Sequence, residues 1–157
     1  MYIKMKLLLS KELGRLATWL RILGLDAEYF RQQNLSSLVI QALRDDRVII
    51  TRNQHLARRS GMRIVVLESE KIKEQIAEVL KALNIGVNKD IIFSRCIICN
   101  LPLVSVEKET IKDKVPEYVF KTQETFVTCP ACQRIYWQGT HWGNINEILK
   151  EAGANNE

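Results

Sequence analysis

The sequence predicts an α/β fold: a parallel sheet flanked by helices, followed by a small cysteine-bearing module. Three observations predict it. Over residues 1–90, short apolar runs alternate with stretches of helical period. After Asp90 the composition changes, and residues 91–143 hold all four cysteines and two of the three tryptophans. The cysteines fall as two Cys-x-x-Cys pairs. The chain therefore divides into an α/β domain over 1–90 and a four-cysteine module with a closing helix over 91–157.

Lys4–Leu9 is an apolar run expected as a buried strand. Ser10 follows as a candidate N-cap, and Leu13, Leu16, Ala17, Leu20 and Leu23 then recur at helical spacing up to Gly24, a helix stop. Ala27–Phe30 reads as a second strand. Leu38, Val39, Ala42 and Leu43 mark a second helix capped by Ser36 or Ser37. Arg47–Thr51 is a β-branched strand, Gln54–Ser60 a short helix and Ile64–Leu67 a fourth strand. Ile72, Ile76, Val79, Leu80 and Leu83 give a further helix ending near Asn84 and Gly86. This βαβαβαβα order builds a parallel sheet covered on both faces. Functional groups in such sheets lie beyond the carboxyl ends of the strands. Here those ends offer Ser10 and Lys11, then Arg52 and Asn53, then Glu68. Past the junction at Gly86–Ile92, Leu103–Val106 and Phe126–Thr128 read as short strands and Asn144–Ala152 as the closing helix.

With 157 residues, 46% of them hydrophobic, the chain can build its core without disulfides. No apolar run approaches the roughly 20 residues that cross a bilayer, so no membrane association is expected. The N-terminal residues lack a leader-like apolar stretch, so the cytoplasm is the expected compartment, where cysteines serve as ligands or thiols. Charge is uneven. Residues 1–63 hold 12 Lys and Arg against 5 Asp and Glu, a balance of +7; residues 64–157 hold 11 against 13, a balance of −2. A basic first half suits an anionic partner such as RNA, or is a solvated surface with no partner.

Cys96-Ile97-Ile98-Cys99 and Cys129-Pro130-Ala131-Cys132 form the strongest motif. Two residues between thiolates let both sulfurs reach one ion, and four sulfurs supply the soft tetrahedral set that zinc prefers. A four-cysteine site is closed, so the expected zinc is structural. The alternatives are redox-active pairs or buried thiols. His141, beside Tyr136, Trp137 and Trp142, is a candidate RNA contact through a stacking surface, or part of the module's own packing.

The stretches LLLSKELGRLATWLRILGLDAEYF (7–30), RVIITRNQHLA (47–57), SRCIICNLPL (94–103) and CPACQRIYWQGTHW (129–142) resemble the C-terminal ribonuclease domain family of Mut-seven exoribonuclease. That resemblance implies a PIN-like nuclease fold with an appended zinc ribbon. It also implies Mg²⁺ or Mn²⁺ held by carboxylates at the sheet edge, with RNA as substrate. The sequence departs from the family pattern at those carboxylates. Ser10 stands where the family has an acid after the first strand, Asn53 closes what is Thr-Arg-Asp in the family, and residues 31–44 contain no acid at all. Divalent cations need anionic oxygens, so Mg²⁺ or Mn²⁺ is expected only if other acids serve. Glu68, with Glu12 or Glu70, is the residual candidate set.

Removing acids from a basic edge favours holding a phosphate backbone without cutting it. Arg52, Lys11, Arg15, Arg21 and Arg58, with the neighbouring Arg59, are the candidate RNA contacts. The expected function is an RNA-binding protein derived from a metal-dependent ribonuclease, its cleavage weak or lost. The rivals are a ribonuclease with an altered carboxylate set and a zinc-ribbon module that binds another protein.

Overall fold

A computed structural model describes residues 5–58, 61–137, 147 and 150, without the side chain of Arg58. Four strands, β1 (Lys6–Leu9), β2 (Asp26–Tyr29), β3 (Val48–Thr51) and β4 (Ile64–Val66), form a parallel sheet in the order β2-β1-β3-β4. Helix α1 (Gly14–Ile22) follows β1 after a 3₁₀ turn at Lys11–Leu13. Helix α2 (Leu35–Asp45) joins β2 to β3, and α3 (Ile72–Ala82) follows β4.

Alternation along the strands divides the core. Leu7, Leu9, Val48 and Ile50 pack against Leu16, Ala17 and Leu20 of α1 and Ile76 and Val79 of α3. Leu8 and Ile49 point the other way, onto Leu38, Val39 and Ala42 of α2. Burial on both faces explains why β1 is an unbroken leucine run. The first connection leads from β1 to β2 and the next crosses to β3 on the opposite side. The carboxyl ends of β1 and β3 therefore meet at the switch point of the sheet.

Two expected caps are corrected. Ser10 makes no side-chain cap; its hydroxyl is engaged elsewhere, as described below. Helix α2 is capped by Asn34, whose side chain accepts the Ser37 N–H at 3.2 Å, so neither serine is the cap. Gly24 closes α1 with φ +88°, and a Cβ there would lie 2.3 Å from the Ile91 carbonyl oxygen. The chain leaving the first sheet crosses this point closely, so only glycine fits.

The second sheet is antiparallel, β5 (Val104–Val106), β6 (Phe126–Thr128) and β7 (Ile135–Trp137), in the order β5-β6-β7. A six-residue helix α4 (Glu117–Thr122) lies between β5 and β6, and Val119 joins Ile111, Val115 and Phe126 in a separate small core. Phe126 and Trp137 meet edge to face at 6.3 Å. Neither β7 nor α4 was expected; both are too short for periodicity to register. Of the expected closing helix, Glu147 and Lys150 are helical, and the rest lies outside the described residues. Among the described residues, no helix is long and apolar enough to cross a membrane.

Candidate functional site: the sheet edge and the cysteine centre

β1 and β3 pair Leu9 with Ile50, so Ser10 and Thr51 emerge side by side. Ser10 is 5% exposed, and its Oγ lies 2.9 Å from Thr51 Oγ1. The same hydroxyl donates to Glu12 Oε1 at 2.6 Å, and the Arg52 backbone N–H donates to that oxygen at 2.9 Å. Partial burial pushes the Glu12 carboxyl up. Hydrogen bonds from Ser10, the Arg52 and Glu12 amides and Thr51 outweigh it, so the net shift is downward and Glu12 stays ionised. Asn53 turns inward on its own turn: its Oδ1 accepts the His55 N–H at 2.9 Å, and its N–H donates to Thr51 Oγ1 at 3.1 Å.

A cleft of about 630 Å³ opens over this cluster, lined by Ser10, Lys11, Glu12, Gln33, Asn34 and Asn53 among others. A second cleft, of about 520 Å³, is lined by Arg15, Glu70, Lys71, Ile72, Lys73 and Glu74. Arg52 touches both groups. Its amide holds Glu12, and its guanidinium Nη2 lies 3.4 Å from Glu70 Oε1. Its Nε is buried and, among the described residues, has no hydrogen-bond partner.

The fold thus gathers Ser10, Lys11, Arg52 and Asn53 at one edge and places Arg15 on the adjoining cleft. Glu68 is exposed beyond β4, and its side chain makes no hydrogen bond to Ser10, Glu12 or Asn53. Arg58 ends a 3₁₀ turn. Its side chain, Arg59 and His141 lie outside the described residues.

Arg21 requires correction as an edge contact. Helix α1 runs back from the carboxyl edge, so its last turn lies at the opposite end of the sheet. There Arg21 is 9% exposed and donates from Nε to Ala27 O at 2.8 Å and from Nη1 to Ile97 O at 2.9 Å.

Among the described residues, Glu12 is the single carboxylate bonded into the Ser10–Thr51–Asn53 cluster, and one of its oxygens already accepts Ser10 and Arg52. A hard divalent cation requires several anionic oxygens. This donor set does not fit a resident Mg²⁺ or Mn²⁺.

The cysteines do fit an ion. The sulfurs of Cys96, Cys99, Cys129 and Cys132 all lie within 4.8 Å of one another, and Cys96 Sγ is 3.6 Å from Cys132 Sγ. Metal–sulfur bonds of about 2.3 Å in a tetrahedron put sulfurs roughly 3.8 Å apart. These four residues could hold a metal such as zinc. The two knuckles repeat one another. The Cys96 N–H donates to Leu101 O and the Asn100 N–H to Cys96 O, both at 2.9 Å. The Cys129 N–H donates to Arg134 O and the Gln133 N–H to Cys129 O, both at 3.0 Å. Each knuckle turns on a left-handed residue just after its second cysteine, Asn100 at φ 61° and Gln133 at φ 63°.

Tyr136 Oη lies 3.2 Å from Cys96 Sγ, and the Cys99 N–H points at the same sulfur. Burial pushes the Cys96 thiol up, but these donors win and hold it down, to about 6. Cys99 is pushed up to about 12 by desolvation and by the neighbouring thiols. One thiolate among four sulfurs raises the cost of the next, which is the conflict a cation resolves.

Four residues take roles that the sequence does not announce. Glu12 is expected only as an alternative to Glu70 beside Glu68 in the residual acid set, and its central place has no sequence signal. Asn100 and Gln133 carry no motif beyond following a knuckle. Tyr136 is expected either in a stacking surface or in the module's own packing, with nothing to mark it as a partner of a cysteine. Arg21 had a signal: it lies four residues after Ala17, on the buried stripe of α1.

No curated protein and no solved structure gives a significant match. The family model described as the Mut7-C RNAse domain matches residues 5–149, nearly the whole chain. The chain, with its parallel α/β sheet, second small sheet and four-cysteine cluster, belongs to the Mut7-C RNAse domain family.

Proposed function

We propose that this protein binds RNA along the carboxyl edge of its parallel sheet without cleaving it, and that its four cysteines hold a structural zinc ion. One observation carries the reading. The positions that follow β1 and β3 are Ser10 and Asn53, and the carboxylate nearest to them, Glu12, is taken up by Ser10 and the Arg52 amide. Family membership supports RNA as the ligand. The part-exposed Arg52 guanidinium, with the neighbouring Lys11 and Arg15, suits a phosphate backbone. Glu12 is a poor base for activating water, because its carboxyl is held down. The zinc site is closed by four sulfurs, so the ion braces the ribbon rather than reacting.

A ribonuclease reading keeps one specific support, the ionised Glu12 at the edge. Labelled single-stranded and hairpin RNA, with Mg²⁺, with Mn²⁺ and without added metal, separates the two. We expect micromolar or tighter binding at low salt, weakening as salt rises, with intact RNA in every condition. Metal-dependent cleavage that disappears in Glu12→Gln would establish the nuclease. Undetectable binding at low salt would overturn the RNA reading.

A further inference from the structure

Arg21 is a buried cation that, among the described residues, is hydrogen-bonded to no carboxylate. Among the described residues it forms no ion pair, and its guanidinium donates only to carbonyls: Ala27 O at 2.8 Å, Ile97 O at 2.9 Å and Ile98 O at 3.3 Å. The last two belong to the loop between Cys96 and Cys99. A buried charge needs a compensating one. Four thiolates around a divalent ion carry a net charge of about −2. Glu28 favours the guanidinium only from a distance, without a hydrogen bond, so the knuckle that Arg21 grips is the counter-charge it touches.

Asn100, the residue on which the same knuckle turns, completes the joint. Its Oδ1 accepts the Ala27 N–H at 3.1 Å, and its Nδ2 donates to Asp26 Oδ1 at 2.7 Å. Arg47 also holds Asp26, at 2.8 Å, and Arg95 holds the Asn100 carbonyl at 2.6 Å. Both outward backbone groups of Ala27 are thus satisfied by Arg21 and Asn100. The other end of the same strand reaches the RNA edge. Tyr29 Oη donates to Lys11 O at 2.5 Å, and Phe30, whose N–H donates to Leu9 O, lines the larger cleft.

We propose that Arg21 is the anchor and counter-charge of the metal–thiolate centre, and that β2 links metal occupancy to RNA binding at the sheet edge. The inference rests on the zinc and RNA readings above. It makes Arg21 a positioning residue for the metal and gives the ribbon a bearing on a cleft it does not line. Linkage is reciprocal: RNA bound at the edge tightens zinc by the factor by which zinc tightens RNA.

The test uses the full zinc-loaded chain and three readouts. These are zinc affinity by competition with a chromophoric chelator, exchange of the Ala27 amide by NMR, and RNA affinity by fluorescence polarisation. In Arg21→Met we expect zinc affinity and Ala27 protection each to fall tenfold or more. RNA affinity falls with them, and its salt dependence is unchanged. Arg44→Met removes an exposed cation from α2 and leaves zinc affinity as it was. If Arg21→Met does not fold, Asn100→Ala reports on the same joint through the Ala27 amide.

Zinc affinity within twofold of the native protein overturns the anchor. Weakened zinc with native RNA affinity overturns the linkage. Failure of the native protein to bind RNA is a failure of the functional reading, and zinc affinity and exchange still decide the anchor.

Discussion

Glu12 holds its charge because Ser10, the Arg52 amide and Thr51 all give hydrogen bonds to it. Its folded pKa lies below the ordinary 4.5. The stability it contributes is therefore fully present above that value and is lost as pH falls through the folded pKa. A carboxyl ¹³C titration should place its midpoint below 4.5, and Ser10→Ala should move that midpoint upward. Gly24 gives a sharper case. At φ +88°, with the Ile91 oxygen 2.3 Å from any Cβ, Gly24→Ala should destabilise the protein by about 2–4 kcal/mol in urea denaturation. The left-handed knuckle residues divide in the opposite direction. Gln133→Gly relieves a strained backbone and should stabilise by about 0.5 kcal/mol. Asn100→Gly relieves the same strain but removes the bonds to Ala27 and Asp26, and should cost about 1–3 kcal/mol.

The elements of the first sheet were legible because burial on two faces writes itself as runs such as Leu7–Leu9 and Ile49–Ile50, and because α1, α2 and α3 carry apolar stripes of helical period. The second sheet was legible in part. Val104–Val106 and Phe126–Thr128 carry β-branched residues, whereas Ile135–Trp137 is three residues with two aromatics and no alternation long enough to read. Serine's habit as a cap suggested Ser10 and Ser36 or Ser37. Asn34 won at α2, and Glu12 drew the Ser10 hydroxyl away. The knuckles were visible as spacing, but their docking was not, since Arg21 and Asn100 meet only through the fold. A small core of Ile111, Val115, Val119 and Phe126 does little alone, so the ribbon should depend on its metal. Elemental analysis should find about one zinc per chain. Cys99→Ser should lose that zinc and abolish the near-ultraviolet dichroism of Trp137, packed on Phe126, while the far-ultraviolet signal of α1–α3 persists.

Across the whole molecule, charge and architecture agree. The first 63 residues carry +7, and they supply the whole lining of the larger cleft, whereas the second cleft takes only Arg15 from them. Family membership suggests a nuclease-like or RNA-related role; the proposal of binding without cleavage rests on Ser10 and Asn53, residues that a fold by itself does not disclose. Binding should weaken linearly on a logarithmic salt scale, with a slope of about 0.7 per phosphate contact. Arg52→Ala should reduce that slope by about one contact, and Arg134→Ala, in the acidic half, should leave it unchanged.

The joint at Ala27 also sets a timetable. The Ala27 N–H finds its acceptor, the Asn100 side-chain oxygen, 73 positions along the chain. A ribosome adding 5–20 residues per second needs roughly 4–15 s to cover that interval. For that interval the outward Ala27 N–H lacks its acceptor, although β1 and Arg21, which takes the Ala27 carbonyl, are already made. The wait lengthens until Cys129 and Cys132 emerge to complete the centre. The first half of this protein is thus translated early and finished late, a window in which a chaperone or a neighbouring nascent chain competes for the strand.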